Sequence, residues 1–160
     1  MWENSISCGS LNSCLKELLG TRTVTKIVCF GLGDMCRSLP DWVLRQKAST
    51  TDKQNITDVD CSMIQHSVAI SLAEICCNSA QDPVQLLAQD PGYSVEATEL
   101  LERNGFKIVG RFGAGGFADV DEYSVVFSPF VSAPVKQIIA DIARPVFVIS
   151  TGFEAFNDHE

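Results

Sequence analysis

"KIVCFGLGDM", residues 26–35, is an apolar run that breaks into a Gly-x-Gly-Asp turn, and its reading decides the fold. Lys26-Ile27-Val28-Cys29-Phe30 is short, β-branched and aromatic, and Gly31 and Gly33 close it. That pattern predicts a buried strand followed by a tight turn. A turn of this kind either holds a ligand or only ends the strand, and both readings stand at this point.

Working outward, residues 10–19 place Leu11, Cys14, Leu15, Leu18 and Leu19 at helical spacing with Gly20 as a C-cap, which predicts a helix feeding the first strand. Residues 36–60 hold few apolar groups beyond Trp42, Val43 and Leu44, and read as a short helix near 41–47 within a mobile insertion. Ile64, Val68, Leu72, Ile75 and Cys76 predict a helix over 62–79. Strands are expected at 84–88, 106–112, 123–127 and 145–149. Helices are expected after Ser94, an N-cap that turns Val95, Leu100 and Leu101 inward, and over 133–143. The glycines at 113–116 read as a flexible connection.

The strands are continuous apolar runs rather than alternating ones, so they are expected to be covered on both faces. The fold class is therefore α/β: a single Rossmann-like domain with a mostly parallel five-stranded sheet covered by helices. Its divisions are an N-terminal helix and lead-in (1–25), the α/β domain (26–152, with the insertion at 36–60) and a tail (153–160).

Composition narrows the classes of function. With 46% hydrophobic and 20% charged residues the chain is too apolar to be largely disordered, and no run approaches the roughly 18 apolar residues of a membrane span. A net charge of −8 argues against nucleic acid or an anionic membrane as the main partner, since both need a basic surface. The N-terminus has neither a basic n-region nor an apolar h-region, so a cytoplasmic or nuclear location is expected. Seven cysteines, an odd number without a CxxC pair, suggest reduced thiols and no metal site.

In an open parallel sheet ligands bind beyond the carboxyl ends of the strands, where strand order reverses. That rule selects Gly31, Gly33 and Asp34 after the first strand, Asp90 and Tyr93 with the nearby Glu96 after the second, and Ser128 and Phe130 after the fourth. A glycine turn lets backbone approach a ligand and a strand-end acid accepts from ribose hydroxyls, the pattern of nucleotide and S-adenosylmethionine sites. Gly-x-Gly-Asp lacks the third glycine of the dinucleotide fingerprint, and Asp90 lies farther along than the about 20 residues of that pattern. Asp90 also reads as an Asp-Pro-Gly turn, and Glu96 as an acid favoured by a helix N-terminus. His66 has no visible partner for a nucleophilic triad.

The order "VCFGLGD" (28–34), Gln65 opening an apolar helix, "AQDPGYSVEATELLERNGFKIVG" (88–110) and "YSVVFSPF" (123–130) resembles the SRR-like (Sensitivity to Red Light Reduced-like) family over about residues 26–149. The Asp90-Pro91 step with Tyr93 and Glu96 is its most specific part. The resemblance implies a eukaryotic regulatory protein, linked in plants to light signalling and circadian timing and elsewhere to haem metabolism and the cytoskeleton. It brings no firmly established reaction. Family members commonly carry Pro-His where this chain has Pro129-Phe130. The expectation is a regulatory domain with a small-molecule pocket, taking S-adenosylmethionine or a nucleotide, or contacting a protein partner. The rivals are an S-adenosylmethionine-dependent methyltransferase-like enzyme, for which too little sequence follows Ile149, and a pure interaction module.

Overall fold

The computed structural model describes residue 2 and residues 5–38, 57–77 and 83–151. The short helix expected near 41–47 and most of the 36–60 insertion lie outside the described residues. The elements in chain order are α1 (Ile6–Leu19), β1 (Lys26–Phe30), α2 (Asp58–Cys76), β2 (Gln85–Gln89) and α3 (Val95–Arg103). There follow β3 (Phe106–Ile108), α4 (Gly115–Ala118), β4 (Ser124–Ser128), α5 (Val135–Ile142) and β5 (Phe147–Ser150). All strand pairs are parallel and the order is β3-β2-β1-β4-β5. The chain builds outward from β1 to β3, then crosses back to lay β4 on the other side of β1. The β1/β4 boundary is therefore the switch point of the sheet.

Local chemistry explains most boundaries. α1 starts earlier than position 10 because Ser5 Oγ accepts from Cys8 N–H. α2 starts at Asp58, inside the expected insertion, because Thr57 and Asp60 form a reciprocal capping box. Ser94 caps α3 by accepting from Ala97 N–H. Within α3, however, Ala97 and Leu101 face the core, while Val95 and Leu100 are exposed. β3 is shorter than 106–112 because the chain turns at Gly110, whose backbone packs on Gly115: a Cβ there would lie 2.8 Å from Gly115 Cα. The glycine stretch at 113–116 is not a loose connection. It opens the single turn α4, pinned to the sheet by Gln89, whose Oε1 accepts from Gly116 N–H and whose Nε2 donates to Gly113 O.

Alternating strand residues feed two cores. Ile27, Cys29, Leu86, Ala88, Val125 and Phe127 pack beneath α1, α2 and α3. Val28, Phe30, Leu87 and Val126 pack beneath α4 and α5. Each of the large side chains stabilises the fold by roughly 1.5–3 kcal/mol through burial. At the amino end of β1, Lys26 Nζ reaches Asp121 Oδ2 at 2.8 Å and the Asp119 carbonyl at 3.1 Å. Burial opposes the Asp121 charge, but Lys26, Ser124 and Tyr123 N–H outweigh it and hold the carboxyl below its usual range.

The seven cysteines are free, and they differ sharply in surroundings. Cys29 and Cys76 are buried, and desolvation raises both thiols, Cys76 to about 11. Under native conditions a colorimetric disulfide reagent is expected to label Cys14, Cys36, Cys61 and Cys77 rapidly and to reach Cys29 only on unfolding. Peptide mapping of the labelled protein checks the order, and early modification of Cys29 would contradict it. No helix among the described residues is long and apolar enough to cross a membrane.

Candidate functional site

The turn after β1 lies at the carboxyl rim of the sheet, and its glycines both adopt positive φ, 66° at Gly31 and 77° at Gly33. Their amides are already engaged. Gly31 N–H donates to the Gln89 carbonyl at 3.0 Å, and Gly33 N–H donates to Asp90 Oδ2 at 2.8 Å. The second Asp90 oxygen accepts from Gly92 N–H at 2.7 Å. In the opposite sense, Asp34 of the β1 turn accepts from Ser94 N–H at the start of α3 (2.8 Å) and from Cys36 N–H (2.7 Å). The two turns thus exchange carboxylates, each acid binding backbone that belongs to the other strand's turn.

A third element completes the arrangement. Ser62, in the first turns of α2, donates from Oγ to the Gly33 carbonyl at 2.7 Å. One helical turn on, buried His66 places Nδ1 2.7 Å from the Ser62 carbonyl and Nε2 2.9 Å from the Tyr93 hydroxyl. A carbonyl only accepts, so Nδ1 carries the ring proton, Nε2 accepts, and Tyr93 donates. Tyr93 precedes α3 by two residues, so the hydrogen bonds run from Asp90 through Gly33, Ser62 and His66 back to the turn that holds Asp90.

Tyr93 is therefore part of the core, with its hydroxyl raised by burial first and by Cys29, Asp90 and Asp34 next. Burial opposes the charge on Asp34, but the Ser94 and Cys36 hydrogen bonds and Arg37 together hold its carboxyl below the usual range. Glu96 is exposed on the first turn of α3, and Phe130 is exposed beyond β4. Gly31 is abutted by the segment that follows β4: a Cβ on it would lie 2.8 Å from Val131 Cγ2. Ser128, at the end of β4, is 3% exposed, and its Oγ has no hydrogen-bond partner. The rim thus brings Gly31, Gly33, Asp34, Asp90 and Tyr93 together, with Ser128 across the β1/β4 boundary, and leaves Glu96 and Phe130 facing solvent.

With this geometry in place, the family comparison is decisive: residues 11–160 match the model of the SRR1 domain. The chain belongs to the SRR1 domain family. No curated protein and no solved structure matches it.

In this SRR1 domain the residues that sequence reasoning did not select as site members are Ser62, His66, Gln89 and Val131. His66 and Ser62 had a signal, since a polar pair at i and i+4 interrupts an apolar helix, but their partners come from other segments. Among the described residues no three His, Cys, Asp or Glu side chains cluster to hold a metal ion.

The network gives the SRR1 domain an acid-sensitive stability. Burial lowers the His66 pKa from 6.5, against smaller raising contributions from the Ser62 carbonyl, Asp90 and Asp34. Between its folded and unfolded pKa values the unfolded chain binds more protons, so stability falls as pH drops. The His66 contribution is whole above about pH 6.5 and is lost as pH falls below it. The contributions of Asp34 and Asp121, whose carboxyls start from 3.8, are lost only in stronger acid. Urea titrations at stepped pH are expected to show the first loss beginning near neutrality in the parent and absent in His66→Gln. An identical pH profile in both would remove His66 from this account.

Proposed function

We propose that this SRR1 domain is a regulatory module that binds a small ligand without phosphate, of the nucleoside or adenosyl class, at the carboxyl rim of β1 and β4. The observation that carries this reading is Ser128: a hydroxyl buried at the carboxyl end of a central strand, with no hydrogen-bond partner, at the switch point where such sheets bind ligands. An unpaired buried hydroxyl costs about 1–3 kcal/mol and is a position for a ligand's polar group.

The charge at the rim supports the choice of class. A phosphate needs free backbone N–H groups, but those of Gly31, Gly33 and Ser94 are taken by the chain's own oxygens. Asp34, Asp90 and Glu96 add negative charge to the same end, which favours a neutral or cationic compound such as a nucleoside or S-adenosylmethionine over a free nucleotide. Asp90 acts in this reading by holding the turn, and Gly31 by letting Val131 close against it. Roles in signalling or circadian-type regulation, in cytoplasm or nucleus, belong to the same proposal and rest on the family alone.

A thermal-shift screen of nucleosides, nucleotides and adenosyl compounds tests it, run on the parent and on Ser128→Ala. A ligand at a hundred times its Kd stabilises by about 2.7 kcal/mol, a readily measured shift. At least one unphosphorylated compound is expected to raise the parent's Tm, with the shift lost in Ser128→Ala. That variant itself is expected to be as stable as the parent or more so by about 1 kcal/mol, because it removes the unpaired hydroxyl. If no compound shifts the parent, or a shift is the same in both proteins, the rim of β1 and β4 is not a ligand site and the interaction-module reading takes its place.

A further inference from the structure

α2 carries a second buried polar atom without a partner, Oε1 of Gln65, one turn beyond Ser62. The side chain as a whole is half-buried, yet its oxygen meets no donor. A leucine at this position would avoid the cost of an unpaired acceptor, so the glutamine calls for an explanation outside the packing.

Helix geometry places the group. Successive residues are about 100° apart, so Gln65 lies about 60° to one side of Ser62 and His66 about 40° to the other. Ser62 is fixed on the β1 turn through the Gly33 carbonyl, and Tyr93 and Phe106 hold His66 toward β2 and β3. Gln65 is therefore on the opposite flank, toward β4. Helical side chains lean back over the preceding turn, which carries the carboxamide to the level of Ser62 and the rim. α2 covers the sheet face that holds Cys29 and Phe127, whereas α5 covers the face that holds Val28 and Val126. Ser128, two residues after Val126 in β4, continues the α5 face. A ligand lying across the carboxyl ends of β1 and β4 thus meets Ser128 from one side of the sheet and Gln65 from the other.

The two groups ask for different chemistry. A hydroxyl donates or accepts and so discriminates little, while a carboxamide presents an acceptor and a donor side by side. That pair matches the adenine amino group and the ring nitrogen next to it. We propose that Gln65 reads an adenine base, Oε1 accepting from the 6-amino group and Nε2 donating to the adjacent ring nitrogen, while Ser128 bonds elsewhere on the ligand. The inference rests on the rim of β1 and β4 being a ligand site, and it narrows the occupant to an adenine compound without phosphate.

Isothermal titration with adenosine and with purine riboside, which lacks the 6-amino group, tests it on the full chain. The parent is expected to bind adenosine roughly tenfold more tightly than purine riboside. Gln65→Leu is expected to lose that preference, Gln65→Glu, which keeps an acceptor, to retain it, and Ser128→Ala to weaken both compounds alike. The urea midpoint of Gln65→Leu is expected to equal or exceed the parent's, because the variant removes an unpaired oxygen, so that a loss of binding is not a loss of folding. Equal affinities in the parent, or a preference that survives in Gln65→Leu, would overturn the role of Gln65 and leave the rim as a ligand site. If neither compound binds while another unphosphorylated compound shifts the parent's Tm, the adenine assignment falls alone. If nothing shifts the parent, the reading of the rim falls with it.

Discussion

Gly31→Val is expected to lose about 2–5 kcal/mol of stability, from roughly 1–2 kcal/mol for a β-branched residue in the left-handed region and roughly 1–3 kcal/mol for the collision with Val131. The two parts are separable. Val131→Ala in the same chain relieves the collision but leaves the backbone strain, so the double variant should regain part of the loss and no more. Urea denaturation with an unchanged m-value measures both steps. A Gly31→Val protein with the parent's midpoint would show that the segment after β4 does not rest on this turn.

Leu72→Ala is expected to cost about 2–5 kcal/mol. Leu72 is fully buried on α2, and it packs with Ile27 and Cys29 of β1 and Ala69 of its own helix in the core beneath α1, α2 and α3. Removing it leaves a cavity beneath the helix that carries Ser62 and His66 to the rim. The same variant should therefore report on the site: if α2 is the support of the hydrogen-bond circuit, the acid-sensitive component from His66 should shrink along with the midpoint. A loss below about 1 kcal/mol would mean that the helix collapses into the gap with little strain.

The sheet was legible because its strands declare themselves as apolar runs ended by glycine, proline or acid, as 26–35 and 88–92 do. Ser94 was legible as a cap because a serine before an acid and an apolar stripe has few other uses. α4 was not legible, since four residues rich in glycine look like a linker until Gln89 is seen to bind both ends of the turn. The reason glycine stands at 116 is a neighbour from β2: a Cβ there would lie 2.6 Å from Gln89 Oε1. The inward face of α3 was misjudged in part: Leu101 is buried as expected, but the residue that shares its stripe is Ala97, one turn earlier, and Val95 and Leu100 fall outside it.

The rim shows the same division. Gly33 and Asp90 could be selected from the sequence, because both are residue types that end strands and meet ligands. What they do for one another could not be read there, since the bond between them joins positions 57 residues apart. His66 lacked a visible partner only because Tyr93, 27 residues later, reaches it through the fold rather than along the chain.

The hydrogen-bond circuit also sets an order of events during synthesis. The turn at 31–34 is made early, but the groups that fix its shape are Ser62 on α2 and Asp90 after β2, and the circuit closes only at Tyr93. Until Ser62 has emerged from the ribosome Gly33 has no hydroxyl for its carbonyl, and until Asp90 has emerged it has no carboxylate for its amide. A nascent chain stalled before Asp90 has emerged therefore carries the glycine turn without the groups that fix it, and a chain stalled beyond α3 is one in which the whole circuit can close.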